Sequence, residues 1–286
     1  MTLIEFRSYF RAQLKDVYVL EECDDFLKRL IQAYFKWEPI KIGLDPNYKL
    51  TLVEEEKLKL ALIELKKERP LQYILGTAYF LDLELEVNPA VLIPRPETEE
   101  LVHWILSDED KSNPLTILDI GTGSGCIAIS LKKAAKQWNV AALDVSEQAL
   151  DVAHRNANKN QVPIQFYLED ILDNKQWLIP LDIIVSNPPY VVPSEKEQMS
   201  SNVLEYEPDL ALFVPEEDPL LFYKRIIEFA QLNLKPTGAL YFEINPIFVD
   251  ELVTFFKNFT FDPVEVRNDY FNRPRMIKAI KKHHIT

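Results

Sequence analysis

Short apolar runs alternate with amphipathic helical patterns over the second half of the 286-residue chain, and this alternation restricts the fold more than any other feature. Helical patterns at 126–136 and 147–160 each separate two apolar runs, an order typical of a parallel sheet covered by helices on both faces. The runs predicted to be strands are 115–120, 140–143, 164–168, 181–186, 239–244, 263–266 and 276–280. The predicted fold class is therefore α/β, with a doubly wound, mostly parallel, seven-stranded sheet.

Before about residue 70, apolar side chains recur at spacings of three and four, the period of an amphipathic helix. The first such stripe consists of Leu3, Phe6, Phe10, Leu14 and Val17. Thr51 and Glu54 stand at the start of a later stripe, where they predict a capping box. We expect a small helical bundle as an N-terminal domain over residues 1–76.

The pattern changes at residue 81, where apolar and acidic residues begin to alternate. This period of two over 81–87 predicts a half-buried strand. Asn88 and Pro89 then favour a turn, so the segment 90–93 is predicted to return as the second strand of a β-hairpin. We assign the hairpin to a linker at 77–95, which joins the helical bundle to a sheet domain at 96–286.

The charge of the chain restricts its partners. With 32 lysines and arginines against 45 aspartates and glutamates, the net charge is −13, which disfavours direct binding to nucleic acid. No apolar run approaches the roughly 18–20 residues that cross a bilayer. Cys23 and Cys126 are too few for a disulfide framework and lack metal-ligand spacing. We expect a cytoplasmic, monomeric protein without a membrane segment or a metal site.

Glycine is scarce in this chain but concentrated in one loop. Of the 6 glycines, Gly121, Gly123 and Gly125 alternate with Thr122 and Ser124. The loop follows a predicted strand and opens a predicted helix, where glycine allows close backbone approach and the helix start offers free N–H groups. Its spacing departs from the dinucleotide fingerprint G-x-G-x-x-G. We interpret it as a ligand-binding loop; a tight turn without a ligand is the alternative.

A carboxylate ends the next predicted strand. Asp144 is placed where an acidic side chain can accept hydrogen bonds from both hydroxyls of a ribose. Its alternative role is to cap the following helix, for which Ser146 is equally suited. Asp170, beyond the third predicted strand, is a candidate contact for an adenine edge or a solvated turn residue. The glycine loop and Asp144 together predict a cofactor that contains adenosine.

The segment Asn187-Pro188-Pro189-Tyr190 follows the fourth predicted strand, at the edge where open α/β sheets carry their chemistry. Two successive prolines stiffen the segment and remove backbone donors, which leaves the Asn187 side-chain oxygen and the Pro188 carbonyl as acceptors. Two acceptors suit an NH2 group, and the Tyr190 ring can pack against the group that carries it. A rigid loop without function is the alternative, which the accompanying glycine loop and Asp144 disfavour.

With these motifs the chain resembles a known family. The 119–125 loop together with 187–190 resembles class I S-adenosylmethionine-dependent methyltransferases that act on planar NH2 nitrogens, adenine-N6 DNA enzymes among them. Other segments are similar to the release factor N5-glutamine methyltransferases in particular. These segments are 69–76, 91–99, 207–208 with 211–212, and 269–270 with 273–275.

The resemblance implies a Rossmann-like catalytic domain that methylates the side-chain amide of the glutamine in the Gly-Gly-Gln loop of bacterial peptide chain release factors. It implies S-adenosylmethionine as methyl donor, S-adenosylhomocysteine as product and the release factor as protein partner. By similarity, 121–125, Asp144 and Asn187 bind the cofactor, and 187–190 hold the glutamine. Ile171 follows the acid that matches the family's adenine contact, at a position that is often aromatic in the family.

Two other functions stay open at this point. An adenine-N6 or other nucleic-acid methyltransferase shares the tetrapeptide but needs a basic face, which a charge of −13 disfavours. A non-catalytic cofactor-binding module shares the fold but has no need of an intact 187–190 segment.

Overall fold

A computed structural model describes residues 1–173 and 177–283 and divides the chain into two compact units. The first unit comprises Met1–Gly76 with Ser200–Tyr206, and the second comprises Thr77–Met199 with Glu207–Thr286. The helices are α1 (Leu3–Leu14), α2 (Leu20–Phe35), α3 (Lys41–Leu44), α4 (Leu52–Leu65), α5 (Leu71–Leu75), α6 (Pro96–Asp108), α7 (Cys126–Ala134), α8 (Glu147–Lys159), α9 (Ser201–Tyr206), α10 (Asp209–Leu212), α11 (Leu221–Asn233) and α12 (Val249–Phe256). The strands are β1 (Thr77–Phe80), β2 (Leu83–Glu86), β3 (Thr116–Ile120), β4 (Asn139–Asp144), β5 (Gln165–Leu168), β6 (Leu181–Ser186), β7 (Leu234–Glu243), β8 (Phe261–Asn268) and β9 (Pro274–Lys281).

The first unit is helical, and its core is the set of apolar stripes seen in the sequence. The stripe residues on α1 are completely buried, whereas Val17, the fifth predicted member, lies beyond the end of α1 and is exposed. The capping box of α4 is confirmed, because Thr51 N donates to Glu54 Oε2 at 2.8 Å and Glu54 N donates to Thr51 Oγ1 at 3.3 Å. Arg7 and Arg11 on α1 both pair with Asp24, which ties α1 to α2.

The second unit begins with the β-hairpin, although its strands and turn differ from those predicted. β1 pairs antiparallel with β2, and Phe80 lies opposite Leu83, so that the turn falls at Leu81 and Asp82. Leu81 adopts φ +49°, a backbone conformation that favours glycine and asparagine. Asp82 is a common turn residue, but Leu81 is not, so the local turn signal at this position is weak.

The return strand predicted at 90–93 is wrong. Asn88 does begin a turn, since its carbonyl accepts from Val91 N and its side chain accepts from Ala90 N. The chain beyond this turn makes no strand, because Ile93 N donates at 3.2 Å to the buried Glu207 carboxylate instead of to a neighbouring strand. A side chain far away in sequence thus takes the place of the expected ladder.

The sheet of the second unit has seven strands in the order β5-β4-β3-β6-β7-β9-β8. Six of them run in the same direction, and β9, between β7 and β8, runs in the opposite direction. This confirms the predicted mostly parallel, doubly wound sheet. Side chains of successive strand residues enter different cores: Ile117 packs with α6 and α7, whereas Leu118 packs with α11 and α12. Helices therefore cover both faces, as parallel sheets require.

The strand order reverses direction between β3 and β6. From β3 the chain proceeds to β4 and β5 on one side, and later from β6 to β7 on the other. Open sheets of this type bind ligands at the carboxyl ends of the strands beside such a switch point.

Among the helices of the described residues, none is long and apolar enough to span a membrane.

Candidate active site

A cavity of about 330 Å³ lies at the carboxyl ends of β3, β4 and β6, within the second unit. Its volume falls in the range of small-molecule sites, about 300–1,000 Å³. The predicted site residues that line it are Gly121, Thr122, Gly123, Ser124, Asp144, Asp170, Ile171, Asn187, Pro188 and Pro189. Gly125 and Tyr190 are not among the lining residues, and each contacts residues behind the cavity wall.

The glycine loop turns back on β4 immediately after β3. Gly121 N and Thr122 N both donate to the Leu143 carbonyl, at 2.9 and 3.0 Å. Gly121 and Gly123 adopt φ +73° and +53°, which only glycine adopts without strain. An added Cβ at either position meets no protein atom within 4 Å, so the backbone faces open space. The loop can therefore approach a ligand as closely as the sequence predicts.

Gly125 serves the loop in a different way. It adopts φ +81° directly before α7, and an added Cβ would lie 2.9 Å from Ile129 Cδ1 and 3.3 Å from Ala153 Cβ. Its missing side chain lets α7 and α8 pack closely. The structure thus places Gly125 at a helix-packing position and not on the cavity wall.

Asp144 faces the cavity from the end of β4. Its Oδ2 accepts from Gly123 N at 2.9 Å, and its Oδ1 accepts from Ser146 N at 2.9 Å. Burial raises the pKa of this carboxyl, and the backbone N–H donors oppose that shift. The cap of α8 is Ser146, whose Oγ accepts from Ala149 N, so helix capping does not require Asp144. Its carboxylate keeps lone pairs for ligand hydroxyls.

Asp170 and Ile171 line the cavity beyond β5. Asp170 Oδ1 also accepts from Leu172 N at 2.9 Å, so this side chain both borders the cavity and braces its own turn. Arg225 on α11 donates to the Ile171 carbonyl at 2.9 Å, which fixes the backbone here. The apolar Ile171 side chain offers a surface for a flat ring at this end of the cavity.

A second buried carboxylate supports the glycine loop from below. Asp119 at the end of β3 is fully buried, and Thr122 Oγ1 donates to its Oδ2 at 2.6 Å. Burial raises the pKa of Asp119 to about 7, against the lowering effect of the Thr122 hydroxyl. This hydrogen bond fixes the Thr122 side chain, so that the backbone of the loop forms the cavity wall at this point.

The opposite end of the cavity is built around Asn187. Its Nδ2 donates to Thr98 Oγ1 at 3.1 Å, and Thr98 Oγ1 in turn donates to Glu243 Oε2 at 2.5 Å. The Tyr190 hydroxyl donates to Glu243 Oε1 at 3.2 Å. Tyr190 therefore braces Glu243 and is not among the residues that line the cavity, and the packing of its ring against the substrate stays a prediction.

The sequence interpretation missed three parts of this site. Thr98 lies at the start of α6 within the 91–99 segment, which carries the family resemblance but is given no role in the site, and Glu243 is a lone acid at the end of an apolar strand. A single carboxylate in an otherwise buried run is the signal that points to Glu243. The third part is the segment 89–92, which lines the cavity although it was assigned to a linker.

The described residues fit an adenosine-containing methyl donor. Open space beside Gly121 and Gly123 leaves room for a ligand against the loop, and Asp144 provides acceptors for ribose hydroxyls. Apolar side chains such as Ile171 and Phe222 border the same cavity. Polar acceptors at one point and apolar walls elsewhere are the usual composition of a cofactor site.

Two family models match the sequence. The "PrmC N-terminal domain" matches residues 5–76, and the "Methyltransferase small domain" matches residues 101–206. A release factor glutamine methyltransferase of Flavobacterium psychrophilum is 43% identical over 98% of this chain and 99% of its own length. The chain belongs to the release factor glutamine methyltransferase family. A second member of the family, from Bacteroides thetaiotaomicron, is 40% identical over 95% of this chain and 98% of its own length.

Solved structures that resemble this member of the family share its fold. A methyltransferase from Pyrococcus furiosus has a TM-score of 0.52 and 18% identity and covers 71% of this chain and 91% of its own. The delta-N METTL16 MTase domain has a TM-score of 0.53 and 19% identity and covers 82% of this chain and 100% of its own. At such low identity these similarities establish a class I methyltransferase fold and nothing about the substrate.

Proposed function

We propose that this chain transfers a methyl group from S-adenosylmethionine to the side-chain N5 of the glutamine in the Gly-Gly-Gln loop of peptide chain release factors. The observation that carries the proposal is the position of Asn187. It lines the same cavity as the glycine loop and Asp144, and none of the described residues donates a hydrogen bond to its Oδ1. The curated relatives, which are named release factor glutamine methyltransferases, support the same conclusion.

The nucleotide end of the cavity accounts for the cofactor. We assign the ribose hydroxyls to Asp144, the backbone approach to Gly121 and Gly123, and the adenine side to Asp170 and Ile171. When bound, S-adenosylmethionine supplies a methyl group on a positively charged sulfur, which is open to attack by a nucleophile. The chain itself contributes binding and orientation at this end.

The reacting end must overcome the weak nucleophilicity of an amide. The nitrogen lone pair is delocalised into the carbonyl, the same resonance that gives a peptide bond its rotation barrier of about 18–20 kcal/mol. Asn187 Oδ1 and the Pro188 carbonyl are suited to accept the two N–H bonds of a glutamine amide. Two such acceptors fix the direction of the nitrogen and stabilise the positive charge that develops on it. Proton loss can follow methyl transfer, so this arrangement needs no base before the chemistry.

The substrate assignment is tested by transfer of labelled methyl groups. Purified protein is incubated with labelled S-adenosylmethionine and, in separate reactions, a purified release factor, DNA and total RNA. We expect label in the release factor, and we expect its loss when the Gly-Gly-Gln glutamine is replaced. Label in nucleic acid alone would identify the adenine-N6 class of enzyme, and cofactor binding without transfer to any of the three would indicate a binding module.

Two substitutions separate the ends of the cavity. Asn187→Ala is expected to lower turnover on a release factor by about 10²- to 10³-fold, the usual effect of removing one preorganised polar group, while the cofactor Kd stays nearly unchanged. Asp144→Ala is expected to weaken cofactor binding measured by calorimetry, because it removes the acceptors for the ribose. Near-normal turnover of Asn187→Ala would refute the role of Asn187, and unchanged cofactor affinity of Asp144→Ala would remove Asp144 from the site.

A further inference from the structure

We infer that Thr98 and Glu243 are positioning residues that set the polarity of Asn187, so that it presents an acceptor and not a donor to the substrate. The inference rests on the proposed function, because a glutamine NH2 group requires acceptors. Neither residue lies in the 187–190 segment or in the glycine loop. They reach Asn187 from α6 and from the end of β7.

The need for such positioning follows from the chemistry of a side-chain amide. Oxygen and nitrogen occupy similar positions at the end of asparagine, and a half-turn about the last side-chain bond exchanges them. One orientation offers Asn187 Oδ1 to the cavity, and the other offers two N–H donors, which cannot accept the N–H bonds of a substrate amide. The site therefore works only if something outside the tetrapeptide selects the first orientation.

The Thr98 hydroxyl makes that selection. A hydroxyl has one proton, and Thr98 donates it to Glu243 Oε2 at 2.5 Å, a distance typical of a hydrogen bond from a hydroxyl to a carboxylate. Only lone pairs then remain on Thr98 Oγ1, so its second partner must be a donor. Asn187 meets it with Nδ2 at 3.1 Å, which turns Oδ1 away from Thr98.

Glu243 fixes the direction of the two hydrogen bonds that link Asn187, Thr98 and Glu243. Its side chain is buried, with 1% exposure, and it accepts from Thr98 on one oxygen and from the Tyr190 hydroxyl on the other. Burial raises the pKa of Glu243, and the hydrogen bond from Thr98, the Arg275 charge and the hydrogen bond from Tyr190 oppose that shift. In its ionised form this carboxylate is an acceptor only, so neither neighbour can then reverse its hydrogen bond.

The main test is Thr98→Val, which keeps the shape of the side chain and removes the hydroxyl. We expect kcat on a release factor to decrease roughly 10- to 100-fold, the effect of losing orientation at a reacting centre, with KM and cofactor Kd changed less than about threefold. Thr98→Ser keeps the hydroxyl and is expected to restore most of kcat. Ser107→Ala removes a hydroxyl from the same helix far from the cavity and is the matched control, for which we expect parental turnover.

Three kinetic outcomes would overturn the inference. They are a folded Thr98→Val enzyme with parental kcat, a loss of turnover that follows a proportional loss of cofactor affinity, and a Thr98→Ser enzyme as impaired as Thr98→Val. Glu243→Gln provides an independent variant if Thr98→Val unfolds. The neutral amide of Glu243→Gln can both donate to and accept from the Thr98 hydroxyl, so it no longer fixes which atom of Asn187 faces Thr98. This variant is therefore also expected to lose kcat and not cofactor binding.

A readout without turnover separates this inference from the proposed function. Selective ¹⁵N labelling of asparagine allows the Asn187 side-chain NH2 signal to be assigned by its absence in Asn187→Ala. In the parent we expect slowed hydrogen exchange of this group, because one N–H is held by Thr98, and in Thr98→Val we expect faster exchange. Equal exchange in both proteins would refute the inference even if release factors are methylated, whereas a slowed signal would support it even if they are not.

Discussion

The glycine loop allows a prediction that compares two substitutions, one expected mainly to lower stability and the other mainly to lower cofactor affinity. Gly125→Ala introduces a Cβ that lies 2.9 Å from Ile129 Cδ1 and 3.3 Å from Ala153 Cβ, at φ +81°. Left-handed backbone costs an alanine about 1–2 kcal/mol, and overpacking of a tight helix contact costs about 1–3 kcal/mol more. We therefore expect the free energy of unfolding to decrease by about 2–5 kcal/mol.

Gly121→Ala is the matched variant, because its φ of +73° is similar but its Cβ meets no protein atom within 4 Å. Only the backbone term of about 1–2 kcal/mol applies to its stability. Since that Cβ enters the cavity, we expect cofactor affinity to decrease by roughly tenfold or more, about 1.4 kcal/mol. Gly125→Ala, whose Cβ points between α7 and α8, should keep its affinity within about threefold.

Thermal or urea unfolding and calorimetric titration of the cofactor, performed on both variants, measure these effects. In a domain of this size, 1 kcal/mol corresponds to about 2–4 °C in Tm, so Gly125→Ala is expected to melt about 4–20 °C below the parent. Equal destabilisation of the two variants would refute the packing argument for Gly125. Unchanged cofactor affinity in Gly121→Ala would refute the assignment of the loop to the cofactor.

Two further predictions concern pH. Burial raises the pKa of Asp119 to about 7 in the folded state. Because that carboxyl has a pKa of about 3.9 when unfolded, the contribution of Asp119 to stability should be largest at low pH and decrease by about 3 kcal/mol between pH 4 and 7, and urea unfolding of Asp119→Asn should lack this decrease. Arg7 and Arg11 hold the pKa of Asp24 well below its usual range, so their contribution is present above about pH 4 and is lost as the pH falls. We expect Asp24→Asn to destabilise the first unit by about 2 kcal/mol near pH 7 and much less near pH 2; an equal effect at both values would contradict the charge argument.

Features of the site that depend on adjacent residues were predictable from the sequence. The glycine loop and Asp144 follow strands with strong apolar patterns, and parallel strands bring their carboxyl ends to one edge. The loop and Asp144 are in contact in the structure, where Gly123 N donates to Asp144 Oδ2 at 2.9 Å. The strand pattern together with the positions of the glycines and Asp144 therefore predicted the fold and the meeting of these residues at one cavity.

The remaining features depend on contacts between distant parts of the chain. Thr98 and Glu243 are 145 positions apart, and neither stands in a pattern that names its partner. The hairpin turn at Leu81 and Asp82 was missed for a related reason. Leu81 N donates to Glu99 Oε1 at 2.8 Å, so a side chain on α6 stabilises a turn in which Leu81 has an unfavourable backbone conformation.

The segment at 77–95 illustrates how such long-range contacts change the meaning of a sequence element. Asn156 on α8 is completely buried and accepts from Glu86 N at 2.6 Å, while its Nδ2 donates to the carbonyls of Glu86 and Ser124. One side chain thus joins the end of β2 to the glycine loop. The residues that follow, 89–92, line the cavity beside that loop. Because a buried amide with all its hydrogen bonds made is costly to disturb, the hairpin and the loop are held as one structure. The 77–95 segment is therefore a wall of the cavity as well as a connection between the helical bundle and the sheet.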